Sequence, residues 1–314
     1  MFNNIQNFKI HENALNNPLV YVAHDSEFIW FMPLVVAIVF GIINLAIQTA
    51  NGENHLGNKL KAFGSAAIVG AALAVGVRFG FAVPYLSTSI EVIIAIYAAV
   101  TIVGAISGLA NGLINGDWSK LGNTVKLLAG NFYLDGNRNF FGQVLQGLSR
   151  FTWEIAQTAI GYAYSQFRNA IGGVNRVDYF GGVSFSSGES KGFNRGVSIG
   201  NFINMDISDE IRGSFAERLT NDPLFMHEYG HTSDSKTFGL TYLFSVGIPS
   251  LLSAFKSKQA PGEINGVTTH NFKWYEMSAN RNAAHYFKKY HEIEWDRPYL
   301  QNTYETYYPR TKRR

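Results

Sequence analysis

The chain has 314 residues, 46% of them apolar and 16% charged, with a formal net charge of +3 and no cysteine. That charge is too small and too scattered to make the concentrated basic face that phosphate binding needs, so nucleic acid is not an expected partner. Without thiols, disulfides and thiolate metal sites are excluded, and any transition-metal site must be built from histidine and carboxylate.

Residues 1–28 read as a polar segment with no cleavable secretory signal, because the first apolar run begins near Ile29 with no basic region directly before it. Residues 29–116 read as a glycine-rich membrane region of about three helices. The first run, Phe28 to Gly52, holds no charged residue and carries Trp30 where an interfacial aromatic belongs. The second, Ala62 to Leu86, is interrupted by Arg78, and the third, Val92 to Ile114, is again uncharged. Gly104, Gly108, Gly112 and Gly116 recur every fourth residue, and Gly76 and Gly80 add to the pattern. Such a face lets helices approach closely in lipid. The competing expectation is a buried helical hairpin of a soluble protein. Lys59 and Lys61 before the second run, with Lys120 and Lys126 after the third, place the amino terminus outside and the later chain in the cytoplasm.

Residues 117–142 read as a polar connector around "NFYLDGNRNFFG", and residues 143–300 as the domain carrying the chemistry. Gln143 to Ile171 predicts one amphipathic helix whose stripe of Val144, Leu148, Phe151, Ile155, Ala159, Ala163, Phe167 and Ala170 faces the core. "RVDYFGGVSF" and "GVSIGNFINM", separated by a turn-rich stretch, predict a small hairpin or sheet. The basic tail at 301–314, ending "PRTKRR", reads as a solvated terminus or, more specifically, as a segment drawn to anionic headgroups. The fold class expected is mainly α with a small β element (α+β), the apolar helices preceding a zincin-like helical domain.

"DPLFMHEYGHTSD", Asp222 to Asp234, carries the chemistry. Asp222 and Pro223 make a helix start. His227 and His231, four apart, then project from nearly one face and can converge on one ion, while Glu228 stands beside the first as a general base without being a ligand. A catalytic zinc takes three protein ligands. The metzincin spacing fails, since it would put the ligand at Thr237 and a glycine at Asp234. The gluzincin alternative takes a glutamate from a later helix, and "KWYEMSANRNAAHYF" supplies Glu276 on one face with Ala279, Asn280 and Ala283. Asn280 stands where the ExxxD element of those peptidases has an aspartate, so it is the expected brace on a ligand histidine. Asp234 is the alternative third ligand. Tyr275, His270, Tyr286 and His285 are open candidates for polarising a substrate carbonyl.

From about Asn131 to Trp295 the chain resembles the carboxy-terminal regions of Rhs/YD-repeat-type proteins of Bacteroidetes, on "SRFTWEIAQTAIGYAYSQFRN", "RVDYFGG", "LFMHEYGHTSDSKTFGLTYLFSVGIPS" and "WYEMSANRNAAHYF". The resemblance implies a bacterial metal-dependent peptidase or toxin-like tip; no YD repeats occur here. The expectation is thus a zinc metallopeptidase of a bacterial inner membrane, acting on a peptide or protein substrate and contacting a lipid bilayer. The alternative is a non-catalytic membrane-inserting or toxin-like interaction protein in which a metal clamps two helices.

Overall fold

A computed structural model describes residues 28–81, 86–190, 194–257 and 269–294. The polar segment ahead of residue 28 and the basic tail at 301–314 lie outside the described residues. Three long apolar helices come first: α1 (Phe28–Ala50), α2 (Leu56–Phe81) and α3 (Leu86–Asn115). All three are long and apolar enough to cross a membrane, over Pro33–Ala50, Leu56–Gly76 and Glu91–Asn115. The second apolar window lies nearer the amino terminus than the sequence suggests, taking Lys59 and Lys61 into its first turns and ending before Arg78. α1 and α2 form a tight hairpin, with Gly70 against the backbone of Val36 and Ala37.

Residues 117–142 are more than a connector, because α4 (Ser119–Gly130) lies within them. The glycine face of α3 packs here. A side chain on Gly108 would run into the backbone of Leu121, and one on Gly112 into the ring of Trp118. The single helix expected over 143–171 is two, α5 (Phe140–Phe151) and α6 (Ile155–Ala170), with a break at Thr152–Glu154. Neither glycine nor proline makes the break. It frees Arg150, fully buried at the end of α5, to donate to the carbonyls of Asn131, Tyr133 and Gly182, and Glu154 to accept from Ser235 at 2.7 Å.

Of the stripe expected to face the core, Ala159 is buried, Phe167 is exposed and the other six residues are partly buried, while the deepest positions are largely polar. α5 buries Gln143, Gln146, Ser149 and Arg150, and α6 buries Gln157, Thr158, Ser165, Gln166 and Asn169. Phe141, Leu145, Ile160, Tyr164 and Phe167 face outward instead. The amide groups of Gln143, Gln146, Gln157, Gln166 and Asn169 each donate to a carbonyl inside, such as Gln166 Nε2 to that of Thr124 at 3.0 Å, so the polar face bonds to protein where water would otherwise serve.

The expected sheet has four strands, β1 (Arg176–Phe180), β2 (Val183–Glu189), β3 (Arg195–Ile199) and β4 (Phe202–Ile207), in the order β1-β2-β4-β3. Each neighbouring sequence pair is an antiparallel hairpin, and the two hairpins meet through a parallel β2–β4 pairing. Gly181 and Gly182 both have positive φ, as a two-residue hairpin turn requires. β3 is left as an edge strand. Alternation gives the sheet two unlike faces. Val183, Phe185, Ile203 and Met205 point into an apolar cluster with Phe225, Tyr229 and Phe287, whereas Ser186 and Asn204 bond each other at 2.6 Å and Asn204 reaches Ser165 of α6 at 3.0 Å.

On the apolar face lie α7 (Phe215–Asn221), α8 (Pro223–Phe238) and α10 (Trp274–His291). Between α8 and α10 run a 3₁₀ turn (Gly239–Thr241), a π-helical turn (Leu243–Gly247), α9 (Ile248–Phe255) and a second 3₁₀ turn (Thr269–Phe272).

Candidate metal centre

α8 begins as its sequence demands: the Asp222 side chain accepts from the Leu224 amide at 2.9 Å, with Pro223 in the first turn. The helix packs on α10 with almost no gap. Gly230 lies directly against the backbone of Ala279, so that any side chain there would overlap the Ala279 carbonyl, and Ala279 and Ala283 are fully buried. This close approach brings Glu276 onto the two histidines.

Nε2 of His227 lies 3.1 Å and Nε2 of His231 3.2 Å from the same Glu276 oxygen, Oε2. One ligand atom from each of His227, His231 and Glu276 falls within 4.8 Å of the others, a group that could hold a metal ion. Each imidazole is held from behind. Nδ1 of His227 is 2.6 Å from Oδ1 of Asn280, the position expected as the brace, and Nδ1 of His231 is 3.4 Å from Oδ2 of Asp234. Asp234 is therefore placed behind His231, outside the three-ligand group, and its other oxygen accepts from Ser278 at 2.7 Å and Asn282 at 2.8 Å. The Asn280 acceptor on Nδ1 of His227 fixes the tautomer that leaves its Nε2 free for an ion, and the donor set suits a cation that takes nitrogen and carboxylate ligands.

The electrostatics of the metal-free site follow from this crowding. Burial opposes a charge on His231, but the Glu276 carboxylate, aided by Asp234, outweighs it and raises its pKa well above the ordinary value. His227 is raised in the same way against its burial. Burial alone would raise Glu276; the two imidazoles beside it overcome that and hold its carboxyl far below the usual range.

Glu228, next to His227 on the same helix, is held against the edge strand. Ser198 Oγ donates to its Oε2 at 2.6 Å, and the Gly196 backbone lies so close that a side chain there would strike the carboxylate. The three candidate ligands and Glu228 line a cavity of about 220 Å³, roofed by Leu243, Ile248, Ser250 and Leu251. Of the four groups considered for polarising a carbonyl, His270 lines this cavity, with Nε2 3.5 Å from Glu276 Oε1, and burial lowers its pKa. Tyr275 instead donates to the Pro249 carbonyl at 3.0 Å, Tyr286 to Asp135 at 3.0 Å, and His285 is exposed.

Three residues at the site carry no motif of their own. They are Ser198, Ser250, which donates to Glu276 Oε1 at 2.6 Å, and Tyr242, whose hydroxyl donates to the Ser198 carbonyl at 3.2 Å. Only strand pairing and the turn after α8 bring them in, and short-range spacing holds no signal for either. No family model, no curated protein and no solved structure matches the chain.

Proposed function

We propose that the chain is a membrane-anchored, zinc-dependent metallopeptidase with a gluzincin-like site, in which His227, His231 and Glu276 hold the metal and Glu228 is the general base. The observation that carries this reading is the convergence of those three donors on one wall of a cavity, beside a carboxylate that belongs to no ligand set. Three protein ligands, with no fourth among the described residues, are what a catalytic zinc takes; structural sites use four. When bound, zinc supplies a Lewis acid that polarises a carbonyl and acidifies water. Glu228 accepts the proton of the attacking water at its carboxylate and delivers it to the leaving amine, and Ser198 keeps that carboxylate aimed into the cavity. The anchor rests on α1, α2 and α3. We place the anchor in a bacterial inner membrane, and the lysines that follow α3 favour the cytoplasmic side for the connection after it.

The competing reading, a metal that only clamps α8 to α10 in a membrane-inserting or toxin-like interaction protein, is favoured by one observation: the tight seating of Gly230 on Ala279. The two readings part at Glu228. Glu228→Gln is expected to keep about one zinc per chain and to lose at least roughly a hundredfold in cleavage of a peptide library under zinc-replete conditions. Glu276→Ala is expected to lose both metal and cleavage. A native chain that cleaves nothing, or a Gln variant as active as the native chain, establishes the clamp.

A further inference from the structure

We propose that the turn and helix roofing the cavity, residues 239–255, dock into the boundary of a lipid bilayer, so that the candidate site opens at the membrane surface. This rests on the membrane anchor proposed above and is independent of the peptidase chemistry.

The segment "GLTYLFSVGIPSLLSAF" contains no charged residue. Leu240, Phe244, Ile248, Leu251, Leu252 and Phe255 are all exposed, Phe244 by 76% and Phe255 by 80%, and α9 has no buried residue. Contiguous exposed apolar surface of this kind marks a contact with a partner or with lipid. Together with α8 the segment passes for a bent span, turned by 119°. A helix that lies in the interface has this composition, leucine and phenylalanine on one side with basic residues flanking it, and Lys256 follows directly.

Where the segment sits relative to the apolar helices decides the occupant. α3 and α6 run side by side and in step. Tyr97 stacks on Tyr162 with ring centroids 4.7 Å apart, Gly104 meets Gln166, and Ser107 donates to the Ala170 carbonyl at 2.8 Å. Trp153 precedes Tyr162 by about nine residues, roughly 13 Å along a helix axis. That places it level with the Glu91 end of the apolar span of α3. Trp153 is half-exposed at that level, where interfacial tryptophans belong. Its Nε1 donates to the Lys236 carbonyl at 3.1 Å, and Gly239 lies against its ring, so the apolar segment starts at that depth. α6, which begins just after Trp153, also turns Ile160, Tyr164 and Phe167 outward.

The absence of cysteine from the sequence allows single spin labels on the full-length chain, at Phe244→Cys and Phe255→Cys, with Ile102→Cys in α3 and Glu217→Cys in α7 as references. The chain is reconstituted into phosphatidylcholine vesicles containing phosphatidylglycerol, and collisions with lipid-soluble oxygen and with a water-soluble nickel chelate are measured. Labels at 244 and 255 are expected to be at least about fivefold less accessible to nickel than the label at 217, and more accessible to oxygen. Water-like values at 244 and 255 with a lipid-like Ile102→Cys overturn the proposal and leave the anchor standing. Water-like values at all four positions remove the anchor as well. Exclusion of both reagents at 255 means that protein covers the segment, a second copy or a partner, and also overturns it. Zinc content of the same samples reports on the metal centre separately.

Discussion

The two faces of one small sheet are packed by opposite rules. Toward α8 and α10 the sheet presents Val183, Phe185, Ile203 and Met205, and the helices answer with Phe225, Tyr229 and Phe287. Toward α6 it presents Ser186 and Asn204 beside Val177 and Phe202, and the helix answers with Ser165 and Tyr162 while turning Ile160 and Phe167 away. The first is the arrangement of a water-soluble core, where apolar burial drives packing. The second gains nothing from turning phenylalanine to water; it makes sense where the surroundings are themselves apolar and hydrogen bonds hold the helices together. The His227–His231–Glu276 group that could hold a metal stands on the first face, and the helices long enough to cross a membrane stand behind the second.

The sharpest way to break this contrast is a pair of like substitutions. Phe287→Ala, fully buried against the sheet, is expected to cost about 3–5 kcal/mol, the usual penalty for emptying a core phenylalanine. Phe167→Ala, with 58% of its surface exposed on α6, is expected to cost under about 0.5 kcal/mol. Denaturant titration in one mild detergent measures both, and equal penalties would show that α6 is packed like the other side. Next in size is the support behind the metal. Asp234→Ala removes the carboxylate behind His231 without touching a proposed ligand, so zinc affinity should fall by about 10–100-fold at unchanged stoichiometry, as read by competition with a chromophoric chelator. Loss of stoichiometric binding would make Asp234 a ligand after all.

The smallest effect is a pH dependence that changes sign with metal. In the metal-free chain the raised pKa of His231 means that the folded state holds a proton the unfolded state releases. That contribution is complete below the unfolded histidine value of about 6.5 and is lost as pH rises through the raised folded value. The depressed Glu276 works at the other end, contributing above the unfolded value of about 4.3 and losing it as pH falls toward the folded one. Metal-free Tm should therefore decline above neutrality, whereas zinc binding, which needs the imidazoles deprotonated, should strengthen with pH over the same range. Parallel Tm curves with and without zinc would contradict the assignment of His227 and His231 to the metal.

Much of this layout is legible in local sequence. Asp222-Pro223 announces α8, the four-residue step pairs His227 with His231, and the two alanines after Glu276 foreshadow the close helix contact. Those signals lie within one element or one turn, where geometry follows from spacing. Periodicity over 143–171 reports that two faces exist, and is silent on which one meets the protein; that depends on the medium outside, which no spacing encodes. The break at Thr152–Glu154 is equally hidden, because its cause is a set of carbonyls on Asn131, Tyr133 and Gly182 that Arg150 reaches only after folding. Ser198 reaches Glu228 in the same way, across a strand edge.

The Gly181–Gly182 turn has a mechanical side. The Gly181 carbonyl accepts from Gln146 of α5 at 3.3 Å and from the Tyr229 hydroxyl of α8 at 3.1 Å, and the neighbouring Gly182 carbonyl accepts from Arg150. Tyr229 sits between the two histidines in sequence. A two-residue joint thus ties α5, which packs beside the apolar helices, to α8, the helix that carries His227 and His231. The turn is a tie rod between the two layers, and any change in the spacing of α5 and α8 has to pass through two glycines and these three hydrogen bonds.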